Sequence, residues 1–260
     1  MIRTSLIIAA AGLVLTLICL GGAFALGGRD LANNNWIWTL GDGHGESVRF
    51  ERVQNSDGRD AGPEVTRTLT WDGTDTLVMD FGGDVEYVQG GTAGVTVTGT
   101  QELVDRVEIT QGRIRLKDGE DQVYVNWGDG GLRAWSPRDR LRVVVTAPDV
   151  TRFRLNGSGH MDIRAYDQDQ MDLGISGSGE IEAEGRTRAL TLDISGSGEV
   201  DLEALELADA DVTVSGSGEA RLGPTGRAAV AISGSGDVTL TRRPESLDSR
   251  VSGSGDIRQP

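Results

Sequence analysis

A tetrapeptide, Ser-Gly-Ser-Gly, recurs through the second half of the chain and constrains its fold more than any other feature. It occurs six times, once with Asn156 in place of the first serine. The first glycines of the six copies are Gly157, Gly177, Gly196, Gly216, Gly234 and Gly253, and the second glycines are Gly159, Gly179, Gly198, Gly218, Gly236 and Gly255. The copies lie 18 to 20 residues apart. Such a near-constant period indicates a repeat architecture in which each unit packs on its neighbours.

Apolar and polar residues alternate strictly on both sides of each glycine bend. Two residues before the first glycine lie Leu155, Ile175, Ile194, Val214, Ile232 and Val251, and four residues after it lie Met161, Ile181, Val200, Ala220, Val238 and Ile257. A period of two predicts strands with one buried face. Each unit is therefore interpreted as a strand, a Gly-Ser-Gly bend, a second strand and a polar return.

A single unit of this kind cannot bury its apolar face, whereas stacked units can. The pattern therefore predicts an all-β fold, a parallel β-solenoid with repeats of about 19 residues. Glycine suits the bend because it adopts positive φ and permits close backbone approach. Antiparallel hairpins packed as a sandwich are the alternative, since a two-glycine bend also closes a hairpin. The constant spacing favours the solenoid.

The region before the regular repeats carries weaker strand signals. We place the solenoid domain at residues 63–260, with a degenerate N-terminal part at 63–150 and the regular repeats at 151–260. The stretch from Phe81 to Val85, with two central glycines, is similar to a degraded copy of the bend. Residues 117–137 are interpreted as an excursion, a hairpin that turns at residues 128–131.

The N-terminus decides where the protein is expected to reside. An uncharged run of 21 residues from Leu6 to Leu26 is long enough, as a helix, to cross a hydrocarbon layer of about 30 Å. Residues 1–28 are therefore predicted to be a transmembrane anchor or a signal peptide, the latter with cleavage after Ala25. The expected location is the cell envelope, either anchored in the inner membrane facing the periplasm or, if cleaved, periplasmic or secreted. Residues 29–62 are interpreted as a linker.

An acidic residue follows nearly every bend. Stacking would align Glu180, Glu199, Glu219, Asp237 and Asp256 in one column, with His160 at its head. Neighbouring carboxylates about 5 Å apart repel by about 0.8 kcal/mol in water, so a solvated column is inexpensive. The five carboxylates are weak candidates for binding calcium or another hard cation, and a basic partner is a further possibility. No other metal site, no catalytic residue and no cofactor is predicted.

Composition excludes several classes of function. The formal net charge is −15, which argues against nucleic acid as a partner because phosphate binding requires clustered lysine or arginine. One cysteine, Cys19, excludes an intramolecular disulfide framework, and two histidines leave little for histidine-based catalysis. A uniform carboxylate column also lacks the two distinct environments that an acid and a base require.

The repeated Ser-Gly-Ser-Gly-[Asp/Glu]-Val-x-Leu segments at 195–202 and 233–240, with the lead-in at 145–159, resemble the head GIN domain family of auto-transporter adhesin heads. The resemblance covers residues 65–260 and implies an exported bacterial β-solenoid. We therefore expect a non-enzymatic, adhesin-like binding or structural module whose partner is an unknown envelope or surface component, with membrane attachment through the N-terminal helix. The alternatives are a carbohydrate-active enzyme that uses the acidic face, or a cation-stabilised envelope sensor.

Overall fold

The computed structural model describes residues 37–41, 47–52, 63–73, 75–117, 120–128, 131–135 and 140–260. The predicted anchor or signal peptide at residues 1–28 lies outside this set. Within the set, no helix is both long enough and apolar enough to cross a bilayer. The described residues divide into two compact units, one with those of 37–52 and 120–135 and the other with those of 63–117 and 140–260.

The described residues form strands almost throughout, with one short helix, α1. The strands are β1 Ile37–Gly41, β2 Ser47–Arg52, β3 Glu64–Leu69, β4 Thr76–Asp80, β5 Asp84–Gln89, β6 Gly94–Thr100, β7 Val107–Thr110, β8 Arg113–Leu116, β9 Glu120–Gly128, β10 Gly131–Trp135, β11 Arg142–Ala147, β12 Arg152–Gly157, β13 His160–Gly177, β14 Glu180–Gly196, β15 Glu199–Gly216, β16 Glu219–Pro224, β17 Arg227–Gly234, β18 Asp237–Leu240, β19 Ser246–Gly253 and β20 Asp256–Arg258. The helix α1 comprises Gln101–Arg106.

The smaller unit contains one four-stranded sheet in the order β1-β2-β9-β10. Strands β9 and β10 pair antiparallel, with Gly131 opposite Gly128, which confirms the hairpin predicted for this excursion. Strands β1 and β2 also pair antiparallel, and β2 pairs parallel with β9. Both β1 and β2 lie in the segment interpreted as a linker. Strand β2 pairs with the excursion and β1 pairs with β2, so these two stretches are strands of one sheet.

The larger unit is a parallel β-solenoid, as the repeat predicts. Strand β13 pairs with β14 in parallel from His160 opposite Glu180 to Gly177 opposite Gly196, and β14 pairs with β15 in the same way. The next coil consists of β16 and β17, which both pair in parallel with β15. The coil after it consists of β18, which pairs with β16, and β19, which pairs with β17. Strand β20 then pairs with β18. Equivalent bends stack directly on one another, so the antiparallel sandwich is excluded.

Inward side chains form continuous apolar columns. Phe153, Leu173, Leu192 and Val212 are aligned from coil to coil and are fully buried. Burying a side chain of this size contributes about 1.5–3 kcal/mol, and each coil supplies several. A single coil would leave half of this surface in water, so the coils stabilise one another through the columns.

The two glycines of each bend have different structural roles. The first has a positive φ, 131° at Gly177 and 122° at Gly196, a conformation that side chains with a Cβ rarely adopt. The second lies against the coil before it. A Cβ on Gly198 would be 2.5 Å from Cγ2 of Ile175 and 3.0 Å from the carbonyl oxygen of Gly179. Backbone hydrogen bonds then join the bends, including one of 2.8 Å from Ser197 N to Gly177 O.

The N-terminal part of this unit starts the solenoid and covers that end. Strands β4 and β5 flank the predicted degraded bend, with Asp84 opposite His160, and the amide of His160 donates to Gly83 O at 2.9 Å. This confirms that the stretch is a worn copy of the repeat. Strands β3 and β6 pair antiparallel, as do β7 and β8, while α1 buries Leu103 and Val104.

Candidate functional site

The solenoid brings the predicted acidic residues into one column. Parallel register places Glu180, Glu199, Glu219, Asp237 and Asp256 on neighbouring coils, and it extends the column beyond His160 to Asp84. The position of Asp84 follows from the worn bend before it. The five predicted carboxylates are all at least 31% exposed, so the column is solvated.

Arginines two residues further along the strands neutralise much of this column. Arg221 contacts the Glu199 carboxylate at 2.7 Å and that of Glu219 at 3.7 Å. Arg258 contacts Asp237 at 3.0 Å and Asp256 at 3.3 Å. Each guanidinium therefore bridges two adjacent coils, in the position that a cation would take in the metal hypothesis. In the part of the chain that the structure describes, no group of three or more His, Cys, Asp or Glu side chains could hold a metal ion.

At the head of the column, His160 replaces one carboxylate. Its Nδ1 lies 3.5 Å from a carboxylate oxygen of Glu180. The arginine bridges tie the other four carboxylates into pairs of similar surroundings. Glu180 thus faces a histidine and the other four carboxylates face guanidinium groups, so each of the five lies beside a basic side chain.

A second carboxylate column lies beside the first and was missed by the sequence reasoning. It aligns Glu86, Asp162, Glu182 and Asp201 in register. In each strand, the residue of the first column lies two positions before the residue of the second column. Because side chains two residues apart share a face of a strand, both columns lie on the outer face. The alternation of period two around each bend predicts this second column, because it places the residue two positions after each column residue on the same face.

The first two carboxylates of this second column are also paired with arginines. Arg142 contacts Glu86 at 2.7 Å, and Arg164 contacts Asp162 at 2.5 Å and Glu86 at 3.5 Å. These contacts hold the pKa of Arg164 above its usual range, mainly through its hydrogen bond to Asp162. The outer face of these coils thus carries a network of ion pairs and not a bare acidic array.

A shallow groove crosses another face of the solenoid, between the polar return and the next inward strand. Its volume is about 820 Å³. Gln168, Thr187 and Leu207 are aligned in neighbouring coils and line it, and Thr187 and Leu207 are buried. A backbone irregularity between Ile163 and Tyr166 turns β13 into this face, and the equivalent turn in β14 uses Gly185 at φ 125°.

Charged side chains of both signs form the walls of the groove. The guanidinium of Arg186 donates two hydrogen bonds of 2.7 Å to the two carboxylate oxygens of Asp167. These bonds lower the pKa of Asp167 below its usual range. Arg188 lies 3.9 Å from Asp169, with both side chains more than 70% exposed. Glu206 and Arg242 complete the charged lining.

The groove is therefore electrically balanced, with three arginines facing three carboxylates. It offers guanidinium donors and carboxylate and amide acceptors on a partly apolar floor. Such a surface suits a polar ligand that carries no net charge. The groove is hard to predict from sequence, because the stretch between bends varies in length from coil to coil and obscures the register.

This chain resembles a known protein family and several solved structures. The sequence model described as "Putative auto-transporter adhesin, head GIN domain" matches residues 75–244. A crystal structure of a putative adhesin from Bacteroides fragilis is 16% identical, with a TM-score of 0.51, over 76% of this chain and 97% of that chain. A putative adhesin from Parabacteroides merdae is 17% identical over the same shares, with a TM-score of 0.49. No curated protein is significantly similar to this chain.

Proposed function

Because the chain belongs to the head GIN domain family, we propose that it is a non-enzymatic, adhesin-like binding module of the bacterial cell envelope. The naming of the family as an adhesin head supports a surface or envelope role. The rigid, extended solenoid supports a binding role, since repeat folds present long surfaces to their partners. The groove is the surface that we assign to the ligand.

The charge balance of the groove carries this assignment. Residues 156–260 hold 19 acidic and 9 basic side chains, so the solenoid as a whole repels anions such as acidic polysaccharides and anionic lipid headgroups. The groove lining, by contrast, contains equal numbers of arginines and carboxylates. An uncharged, hydroxyl-rich polymer meets no repulsion there and finds both donors and acceptors. We therefore propose a neutral glycan of the envelope or of an opposing surface as the ligand class.

The test is retention of the full chain on insoluble neutral polysaccharides and on envelope fractions. Replacing Arg188 and Arg242 by alanine removes two groove donors without breaking the Arg186–Asp167 pair, and we expect retention to fall at least about tenfold. The matched control replaces Arg227 and Arg243, which are exposed and lie outside the groove lining. It removes the same charge, so retention should remain within about twofold of the parent.

Equal loss in the two double variants would show that net charge, not the groove, determines retention. If no fraction retains the parent chain better than an acidic protein of equal charge, the binding function itself is refuted.

The proposed location is the cell envelope, with the solenoid outside the cytoplasm. The uncharged run from Leu6 to Leu26 supports either an inner-membrane anchor or a signal peptide cleaved after Ala25. Intact mass of the protein isolated from membranes separates the two. A full-length mass supports the anchor, a mass that starts at Leu26 supports release, and recovery from the cytosol alone would overturn both.

A further inference from the structure

The last coil of the solenoid leaves an open strand edge. Strand β19 pairs in parallel with β17 on one side, and no described strand pairs with its other side. Unpaired strand edges are templates for adding another strand. This edge is eight residues long, which is longer than a typical edge strand that is protected by being short.

The apolar columns of the core end uncovered at this edge. Val230 and Ile232 in the coil before are each 2% exposed, whereas Val251, which continues the Ile232 column, is 45% exposed. Among the described residues, Val251 stands out as the large hydrophobic side chain that is exposed. Leu247, which continues the column of Ala228, is only half-buried. The edge therefore has apolar surface that a partner would cover.

Backbone direction fixes which groups the edge offers. The amides of Ser246 and Ser254 donate to Gly226 and Gly234 in the neighbouring coil. Since backbone groups alternate sides along a strand, the amides and carbonyls of Leu247, Ser249 and Val251 point to the open side. An antiparallel partner forms its paired hydrogen bonds at such positions.

The sequence of the edge is self-complementary about Ser249. With a two-fold axis at this residue, Leu247 lies opposite Val251 of the second copy on the core side. On the outer side, Asp248 lies opposite Arg250 of the second copy. An axis at Val251 would instead place Arg250 opposite Ser252, and an axis at Leu247 would place Asp248 opposite Ser246.

We infer that two copies of this chain pair antiparallel through β19, about a two-fold axis at Ser249. The pairing continues the sheet across the interface, covers Leu247 and Val251 and forms two Asp248–Arg250 ion pairs. Within the part of the chain that the structure describes, neither Asp248 nor Arg250 makes an ion pair. A charged edge usually discourages association, but here the alternation of sign makes the edge attractive to its own copy.

The assembly closes at two copies. At the opposite end of the same unit, β7 and β8 pair antiparallel and α1 packs against β3 and β6. Among the described residues, that end therefore does not offer a strand edge like that of β19. A β19 strand that pairs with β17 on one side and with a second copy on the other has no unpaired side left. A two-fold contact of this type is isologous and does not propagate into a filament.

Cysteine cross-linking tests the register. In a chain with Cys19→Ser, the variant Ser249→Cys places two thiols on residues whose Cα atoms are about 5.5 Å apart, within the range of disulfides. The control Ser252→Cys lies on the same exposed edge, yet its two copies are about 20 Å apart. Mild oxidation should give a covalent dimer for the first variant and a monomer for the second. Equal cross-linking of the two, or none at Ser249→Cys, would overturn the register.

Charge exchange tests the ion pairs. Sedimentation velocity of the full chain in density-matched detergent should show a monomer–dimer equilibrium. Asp248→Arg and Arg250→Asp each place like charges opposite one another twice, so each should weaken dimerisation at least about tenfold. The double variant with both changes restores opposite charges and should dimerise like the parent. A monomer at all concentrations, or a double variant weaker than either single one, would refute the proposal. This outcome is independent of the glycan assay.

Discussion

Replacing the first glycine of a bend should destabilise the solenoid by an amount that depends on the coil before it. Gly157 and Gly196 both have positive φ, 110° and 122°. An alanine at either position is strained by about 1–2 kcal/mol, offset in part by the lower entropy of its unfolded chain. At Gly157, an added Cβ meets no heavy atom within 4 Å. We therefore expect Gly157→Ala to lower the free energy of unfolding by about 1 kcal/mol.

At Gly196 the same Cβ would lie 2.4 Å from the carbonyl oxygen of Gly177. The oxygen belongs to the backbone and the Cβ is rigidly attached to it, so neither can turn aside. The coils have to separate, and the 2.8 Å hydrogen bond from Ser197 N to Gly177 O is weakened or lost. A buried carbonyl left without its donor costs about 1–3 kcal/mol. With the backbone strain of about 1 kcal/mol added, Gly196→Ala should therefore lower the free energy of unfolding by about 2–4 kcal/mol in total.

Urea unfolding followed by far-ultraviolet circular dichroism gives both free energies. Hydrogen exchange adds the location, since Gly196→Ala should reduce protection in β13 and β14, whereas Gly157→Ala should leave both strands protected. Two variants that agree within about 0.5 kcal/mol would show that backbone strain alone sets the cost. The stacked-bend explanation would then be wrong.

Two further predictions concern pH and cations. Burial raises the pKa of Tyr87 to about 12 and also raises that of Tyr166, so both stay protonated in the fold at pH values where the unfolded chain ionises. The contribution of the two tyrosines to the free energy of unfolding should be fully present up to about pH 10 and should then fall by roughly 1 kcal/mol per pH unit for each tyrosine. A Tyr87→Phe chain should lose less, and an unchanged slope would contradict this. Because Arg221 and Arg258 already bridge the acidic column, millimolar calcium should not raise the melting temperature, and a rise of several degrees would revive the cation site.

The regular coils could be predicted from sequence because two local signals coincide there. Glycine at a fixed position marks the corner, and alternation of period two marks the strand on each side. Residues such as Leu192 and Ile194 are therefore assigned to the core from the sequence alone. Register then follows, because equal spacing of corners forces equivalent residues together. The worn bend before Asp84 was readable for the same reason.

The rest of the fold lacks such signals. Helix α1 has six residues, less than two turns, and its buried pair Leu103 and Val104 are adjacent and show no helical period. Strands β1 and β2 are short and flanked by turn-forming residues, and β9, the partner of β2, lies about 70 residues along the chain. Pairing over that separation depends on tertiary contacts that no local pattern reports.

The groove was missed for a related reason, since its ion pair joins Asp167 and Arg186, 19 residues apart. Each residue taken alone is an ordinary surface charge. Only the register shift at Ala165, with φ 53°, and at Gly185 shows that they meet. In the sequence, Gly185 indicates this turn, because a glycine in the polar return suits a backbone with positive φ.

Stacking requires apolar residues at inward positions and glycine at the corners, but it leaves the residue type at outward positions largely free. The charge of the solenoid surface can therefore differ from one face to another. Adjacent like charges at the strand spacing of about 4.8 Å cost only about 0.9 kcal/mol in water. A guanidinium two residues away removes even that cost, as Arg221 does for Glu199 and Glu219. The outer columns can therefore carry many carboxylates while the lining of the groove stays balanced in charge. A ligand that avoids the acidic face is then directed to the groove by the same columns that build the core.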